Sequence, residues 1–244
     1  MYSAELGKLK YSEYKNNKPF EHIVLHNLFD NNRLKEIVDE FPEMEKEMKD
    51  KNRKNSTTVN KLAFRTPDKI NLLSPKTQAF CRELNQKPFI EFLEGLTGIK
   101  DLVADDTFEG GGPHCIGKGG LLGMHIDFNI HPKLRLERRL NVLVYLNENW
   151  NDEWGGQLEL WDDVQKGSKQ KSISPQMNTT VVFSTTEDSW HGHPDPLQCP
   201  ENVLRRSLAF YYYTNTRVET AEEHTTVYVP REGKDKFKYR GKKK

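Results

Sequence analysis

The stretch GGLLGMHIDFNIH at 119–131 puts His125 and Asp127 two residues apart in a mostly apolar run. On a β-strand, alternate side chains share a face, so this imidazole and this carboxylate can grip one ion from the same side. Gly119, Gly120 and Gly123 lead into the run and keep side-chain bulk away from it. A second imidazole, His191 in SWHGHPDP at 189–196, follows a segment at 179–183 that reads as a buried strand. Two histidines and one carboxylate occupy one face of a metal and leave the other open, a donor set suited to non-haem Fe(II) acting on O2. An isolated His-x-Asp is a weak signal, so its surroundings carry the weight.

From about residue 101 the chain breaks into short alternating or apolar runs separated by Gly, Pro and Asn. The spacing predicts strands at 102–108, 114–116, 121–130, 140–146, 157–161, 179–184 and 204–214, the pattern of a β-sandwich or jelly roll. The first hundred residues read differently. A short strand at 20–29 precedes a helix capped by Asp30 or Asn31, which carries Leu34, Ile37, Val38 and Phe41 and stops at Pro42. The segment 43–55 is polar on every face and reads as a frayed helix end and loop. Ser74-Pro75 opens a helix through Phe80 and Leu84. Another helix at 87–97 lines up Phe89, Phe92, Leu93 and Leu96, with Gly98 just past its end. The expected class is α+β, with N-terminal helices packed on one face of a sheet. The divisions are a helix and strand region at 1–100, a β core at 101–230 and a basic tail at 231–244.

Composition narrows the function. An apolar fraction of 35% and mean hydropathy of −0.83 are low, but 10% aromatics argue for a folded chain. A net charge of +1 creates no field that favours nucleic acid or a membrane surface. The exception is the tail KDKFKYRGKKK at 234–244, which reads as a solvated terminus. Cys81, Cys115 and Cys199 are far apart and odd in number, which points away from a disulfide framework and towards a reducing, cytoplasmic setting. No apolar leader opens the chain and no run is long enough to span a bilayer.

Five motifs in order, GGGPHCIGKGGLLGMHIDFN, RRLNVLVYLNENW, GGQLELW, HGHPDPL and RRSLAFYYYT, resemble the prolyl-4-hydroxylase-like branch of the 2-oxoglutarate/Fe(II)-dependent dioxygenases. The resemblance covers about 101–214 and implies a double-stranded β-helix (jelly-roll) core buttressed by N-terminal helices. It implies an enzyme that hydroxylates a C–H bond of a prolyl, peptidyl or small-molecule substrate while 2-oxoglutarate is decarboxylated to succinate and CO2. By motif, His125, Asp127 and His191 are the iron ligands, Arg205 binds the distal carboxylate of 2-oxoglutarate, and Tyr145 helps hold it. The cofactors implied are Fe(II), 2-oxoglutarate and O2, and the family admits ascorbate as an accessory.

Two positions stay open. Arg205 follows His191 by 14 residues, a longer interval than the family's usual one, so His193 is a rival ligand or a substrate-side group. Arg206 neighbours Arg205 on the opposite strand face, so only one of the two can serve. His114, on the strand before the His-x-Asp strand, is a candidate for the cosubstrate pocket. Asn129 and His131 continue the His125/Asp127 face and are substrate candidates, as is Trp190 beside the distal histidine. Two other readings compete with the dioxygenase: a cupin-like metalloenzyme that does not use 2-oxoglutarate, and a non-catalytic jelly-roll binding module.

Overall fold

The computed structural model describes residues 2–50, 57–64, 69–165, 167–215, 222–235 and 237. Most of the basic tail at 231–244 lies outside them. Four helices precede the main strands: α1 (Ala4–Asn16), α2 (Asn31–Glu47), α3 (Pro75–Leu84) and α4 (Lys87–Thr97). The strands are β1 (His22–His26), β2 (Lys49–Asp50), β3 (Thr58–Ala63), β4 (Val103–Ala104), β5 (Gly112–Ile126), β6 (Glu137–Tyr145), β7 (Leu158–Trp161), β8 (Lys169–Ile173), β9 (Thr179–Ser184), β10 (Trp190–His193), β11 (Arg205–Thr214) and β12 (Val227–Tyr228). They join one antiparallel sheet in the order β1-β9-β6-β11-β5-β10-β7-β8, which curls into a nearly closed barrel. This is the expected jelly-roll core. Among the described residues no helix is long and apolar enough to cross a membrane.

One core joins helices to sheet. Phe80 of α3 packs edge-on against Phe210 of β11, and Phe89 of α4 lies against Tyr212. The helices expected at 75–84 and 87–97 form over those residues. Gly98 ends α4 with φ +74° while its N–H donates to Glu94 O, a left-handed cap that favours glycine. The run TTVVFS at 179–184 becomes β9, every residue of it buried, as β-branched residues in a central strand should be.

Several expectations change. Helix α2 runs through Pro42 to Glu47. Phe41 and Met44 on either side of the proline are buried in the core, and their burial offsets the hydrogen bond that Pro42 cannot donate. The strands expected at 114–116 and 121–130 are one strand, β5, so His114 and His125 share it. The run expected at 102–108 pairs only as the two-residue β4. Strands β3 and β8 were not anticipated. β8 is KQKSI with four exposed residues, a solvated edge without the alternation that marks a strand.

Helix α1 also escaped the periodicity argument, because it exposes Leu9 and Tyr11 and buries Gly7 and Tyr14. It begins at Ser3, whose side chain accepts the Leu6 N–H, and crosses α4 at very close range. A Cβ at Gly7 would lie 2.3 Å from Phe92 O and 2.9 Å from Leu96 N, and one at Gly95 would lie 2.8 Å from Ala4 O. Those obstacles are backbone and cannot rotate away. Gly7→Leu is therefore expected to destabilise the fold by about 1–3 kcal/mol through overpacking, read as a lower denaturant midpoint. An unchanged midpoint would mean that α1 does not pack here.

Candidate active site

The site begins with a strand pairing. His191 of β10 stands opposite His125 of β5, and the two rings lie 4.3 Å apart between centroids. Asp127 sits just past the end of β5, with Oδ1 3.6 Å from His125 Nε2 and Oδ2 3.4 Å from His191 Nε2. The three donor atoms lie within 4.8 Å of one another. Each histidine contacts a backbone carbonyl through Nδ1: His125 reaches Gly123 O and His191 reaches Ser189 O, both at 2.8 Å. A carbonyl only accepts, so Nδ1 carries a proton in both rings, and Nε2, which faces Asp127, is the nitrogen each ring can offer to a metal. Burial, aided by the neighbouring His191, pushes the His125 pKa below the usual histidine value, which keeps the ring neutral.

Asp127 depends on two residues that the sequence reading passed over. Arg138 Nη2 donates to its Oδ2 at 3.1 Å and Asn141 Nδ2 donates to the same oxygen at 2.7 Å. Arg138 Nε also donates to Asn141 Oδ1 at 3.0 Å, so the three side chains form one network. The guanidinium lies in the corner between two rings, 3.5 Å from the Tyr211 centroid and 4.6 Å from that of Phe128, and Arg138 is only 2% exposed. Burial resists ionisation of Asp127. The Arg138 charge and the two histidines outweigh it and hold the carboxyl well below the usual carboxylate range. An arginine and an asparagine inside the apolar run RRLNVLVY were the available signal, because buried polar groups in a strand require partners.

The same cavity continues to a second cationic centre. Arg205 Nε donates to Gly156 O at 2.7 Å and Nη2 donates to Tyr145 Oη at 3.3 Å. Gly156 has φ +78°, and a Cβ there would stand 2.5 Å from Leu197 Cδ2 and 3.1 Å from Arg205 Cδ. Arg206 faces the other way, with Nε on Glu45 Oε1 of α2 at 2.8 Å, outside the cavity lining. Strand alternation thus separates the two arginines.

His191 and His193 both line the cavity, but His191 is the one grouped with His125 and Asp127. His193 pairs with Leu122 and is 3% exposed, with neither ring nitrogen hydrogen-bonded. Burial, then the charges of Arg205 and Lys61, push its pKa well below the ordinary value. His114 lines the cavity and contacts Gly110 O through Nε2 at 3.1 Å. Lys61 of β3 and Tyr228 of β12, neither expected, also face the cavity, the Tyr228 ring 5.1 Å from that of His125.

Three candidates lie elsewhere. The chain leaves the strand after Ile126, so Asn129 and His131 do not continue the His125 face. Asn129 is bonded to the backbone of Glu222 and His224. His131 is fully buried, accepts the Lys133 and Leu134 N–H groups at Nδ1, and stands 3.4 Å from Asp105 through Nε2. Trp190 points to the opposite side of β10 from His191, where it packs with Met124, Ile126 and Val164.

Residues 111–214 match the model of the 2OG-Fe(II) oxygenase superfamily. No curated protein sequence matches the chain significantly. Among solved structures, a prolyl hydroxylase from Trichoplax adhaerens in complex with a hypoxia inducible factor oxygen degradation domain peptide fragment superposes with a TM-score of 0.59 at 18% identity, covering 86% of this chain and 90% of that one. A Pseudomonas putida prolyl-4-hydroxylase gives a TM-score of 0.58 at 15% identity, covering 86% and 99%. HygX from Streptomyces hygroscopicus, with nickel, 2-oxoglutarate and hygromycin B bound, gives 0.52 at 15% identity, covering 80% and 85%. At these identities the likeness is one of fold.

Two outcomes follow from this geometry. Arg138→Met removes the partner that orients Asp127 and should weaken divalent-metal affinity about 10–100-fold, measured by calorimetric titration with Mn(II). Wild-type affinity in a folded variant would remove Arg138 from the metal site. His22, His125 and His193 all have folded pKa values below that of the unfolded chain, chiefly through burial. The unfolded state therefore takes up protons more readily, and stability that is complete above pH about 6.5 is lost as pH falls below it. The denaturant midpoint of the metal-free protein should drop between pH about 7 and 5, and a flat profile would contradict neutral burial of these rings.

Proposed function

We propose that this chain, a 2-oxoglutarate-dependent dioxygenase whose core at residues 111–214 belongs to the 2OG-Fe(II) oxygenase superfamily, hydroxylates a C–H bond of a peptidyl or small-molecule substrate. One observation carries the reading. A His-Asp-His cluster, both histidines buried and both Nε2 atoms facing Asp127, shares one cavity with a buried arginine and tyrosine suited to a carboxylate.

The residues fit the groups that the family uses. Two imidazoles and one carboxylate match a first-row divalent metal bound on one face. Arg205 is pre-oriented by Gly156 O and Tyr145 Oη, and a guanidinium beside a phenol is a strong receptor for a carboxylate. When bound, Fe(II), O2 and 2-oxoglutarate supply the oxidising power, with release of succinate and CO2.

The protein's own contribution is holding and shielding. His125, Asp127 and His191 would hold the metal. Arg138 and Asn141 fix the Asp127 carboxylate and keep it ionised. Arg205 and Tyr145 bind the distal carboxylate of the cosubstrate, and Ile116, Leu122, Leu143 and Leu158 line the cavity between with apolar surface that excludes water.

Anaerobic addition of Fe(II) and 2-oxoglutarate should produce a visible charge-transfer band. His125→Ala and Asp127→Ala should abolish both the band and succinate formation while far-ultraviolet circular dichroism stays native. Arg205→Ala should raise the KM for 2-oxoglutarate about 10-fold or more, as expected for loss of a charged hydrogen bond. If Arg205→Ala binds 2-oxoglutarate as the wild type does, a metalloenzyme without this cosubstrate becomes the better reading. A screen of peptides and small molecules for coupled succinate release identifies the substrate.

A further inference from the structure

Strand β5 has partners on both edges, and their registers coincide at one residue. Arg205 of β11 stands opposite Ile116 from one side, and Lys61 of β3 stands opposite Ile116 from the other. Directly paired residues point to the same face of a sheet, so Lys61, Ile116 and Arg205 form one rung, and all three line the cavity. With strands about 4.8 Å apart, the two cationic residues have Cα atoms roughly 10 Å apart. Side chains as long as theirs can converge above Ile116.

The next rungs give the direction along the cavity. Leu122 is paired with His193 and with Thr58, and His125 is paired with His191 and with Tyr228. Passing down β5 from the metal cluster, the order is His125, Leu122 with His193, then Ile116 with its two cations. Lys61 is therefore level with Arg205, at the end of the cavity away from the metal. A C–H bond to be oxidised must sit at the metal, so an anion bound at Lys61 belongs to the molecule that stretches from the metal to Arg205.

Charge and hydrogen bonding agree. The cavity is lined by three basic side chains, Lys61, Arg138 and Arg205, and by the carboxylate of Asp127, which Arg138 engages. His193 lies between the metal rung and the cationic rung, with both ring nitrogens buried and unpartnered. Buried polar atoms of this kind point to a ligand.

We propose that Lys61 is a second cationic anchor for the distal carboxylate of 2-oxoglutarate, clamping it with Arg205 across Ile116, and that His193 hydrogen-bonds the cosubstrate along the same wall. This rests on the dioxygenase reading above. It makes the N-terminal region, through β3, a positioning element for the cosubstrate. It also makes the pocket selective for a 2-oxo acid bearing a second carboxylate.

The test is an anaerobic titration of the Fe(II)-loaded protein, following the charge-transfer band, with 2-oxoglutarate and with 2-oxopentanoate, which has the same chain length but no distal carboxylate. Lys61→Met should raise the dissociation constant for 2-oxoglutarate about 10–100-fold, the loss expected for one charge-assisted contact, and leave that for 2-oxopentanoate unchanged. Lys61→Arg should restore most of the affinity. His193→Phe should weaken 2-oxoglutarate several-fold, and His193→Gln should recover it. Wild-type affinity of Lys61→Met for 2-oxoglutarate overturns the proposal, as does an equal loss for both acids. If Lys61→Met fails to fold, Lys61→Gln is read in its place against the same two acids. Absence of any band with the wild-type protein would instead sink the dioxygenase reading itself.

Discussion

The ladder along β5 is the constraint on which the rest of the site depends. This strand pairs with β11 and β10 on one edge and with β3 and β12 on the other. Hydrogen bonding fixes each register, and alternation fixes which side chains turn inward. Arg205, His191, Lys61 and Tyr228 arrive in the cavity because each is paired with an inward-facing residue of β5. A slip of one residue in any partner would turn its functional group outward. The irregular stretch at 117–120 lets the strand change register between its two halves. Gly120 permits it, because a Cβ there would lie 2.4 Å from Ile116 Cγ2 and 2.7 Å from Gly117 O.

Burying charge at the metal end demands compensation. Asp127 has its carboxylate within reach of two histidines, and Arg138 supplies the opposing charge from the start of β6. Such a pair contributes little net stability relative to apolar packing, since both ions lose their hydration. Its value here is orientation. Asn141 closes the network, and the Tyr211 and Phe128 rings cover the guanidinium, so the carboxylate has one position and one protonation state before any metal binds. The other end uses the same logic with fewer parts. Tyr145 and Gly156 O hold Arg205 in place, leaving the rest of its fork for a ligand.

Two ambiguities in the primary structure had different physical origins. Arg205 and Arg206 are adjacent, so alternation alone places one inside and one against Glu45. His191 and His193 are two apart and share a face, so alternation cannot separate them, and both line the cavity. What distinguishes them is register across to β5: His191 meets His125 and His193 meets Leu122. Asn129 and His131 show the converse error. The two-residue period held only as far as the strand did, and beyond Ile126 the chain turns away to bond with 222–224 and with Asp105.

Local chemistry in the chain itself determined a good part of this protein. The spacing of His125 and Asp127, the β-branched run at 179–184, the proline-led start of α3 and the glycine after α4 each depend on a few consecutive residues, and each is legible from them. The order of the motifs carried the fold class as well. The tertiary structure decided what local preference is too weak to specify: the continuation of α2 through Pro42, the seating of α1 on two glycines, the solvated edge β8 and the hold of Arg138 on Asp127. It also decided that Lys61, 144 residues before Arg205 in the chain, shares a rung with it. These features arise from burial and strand pairing between distant segments, which stabilise a conformation only when both partners are in place.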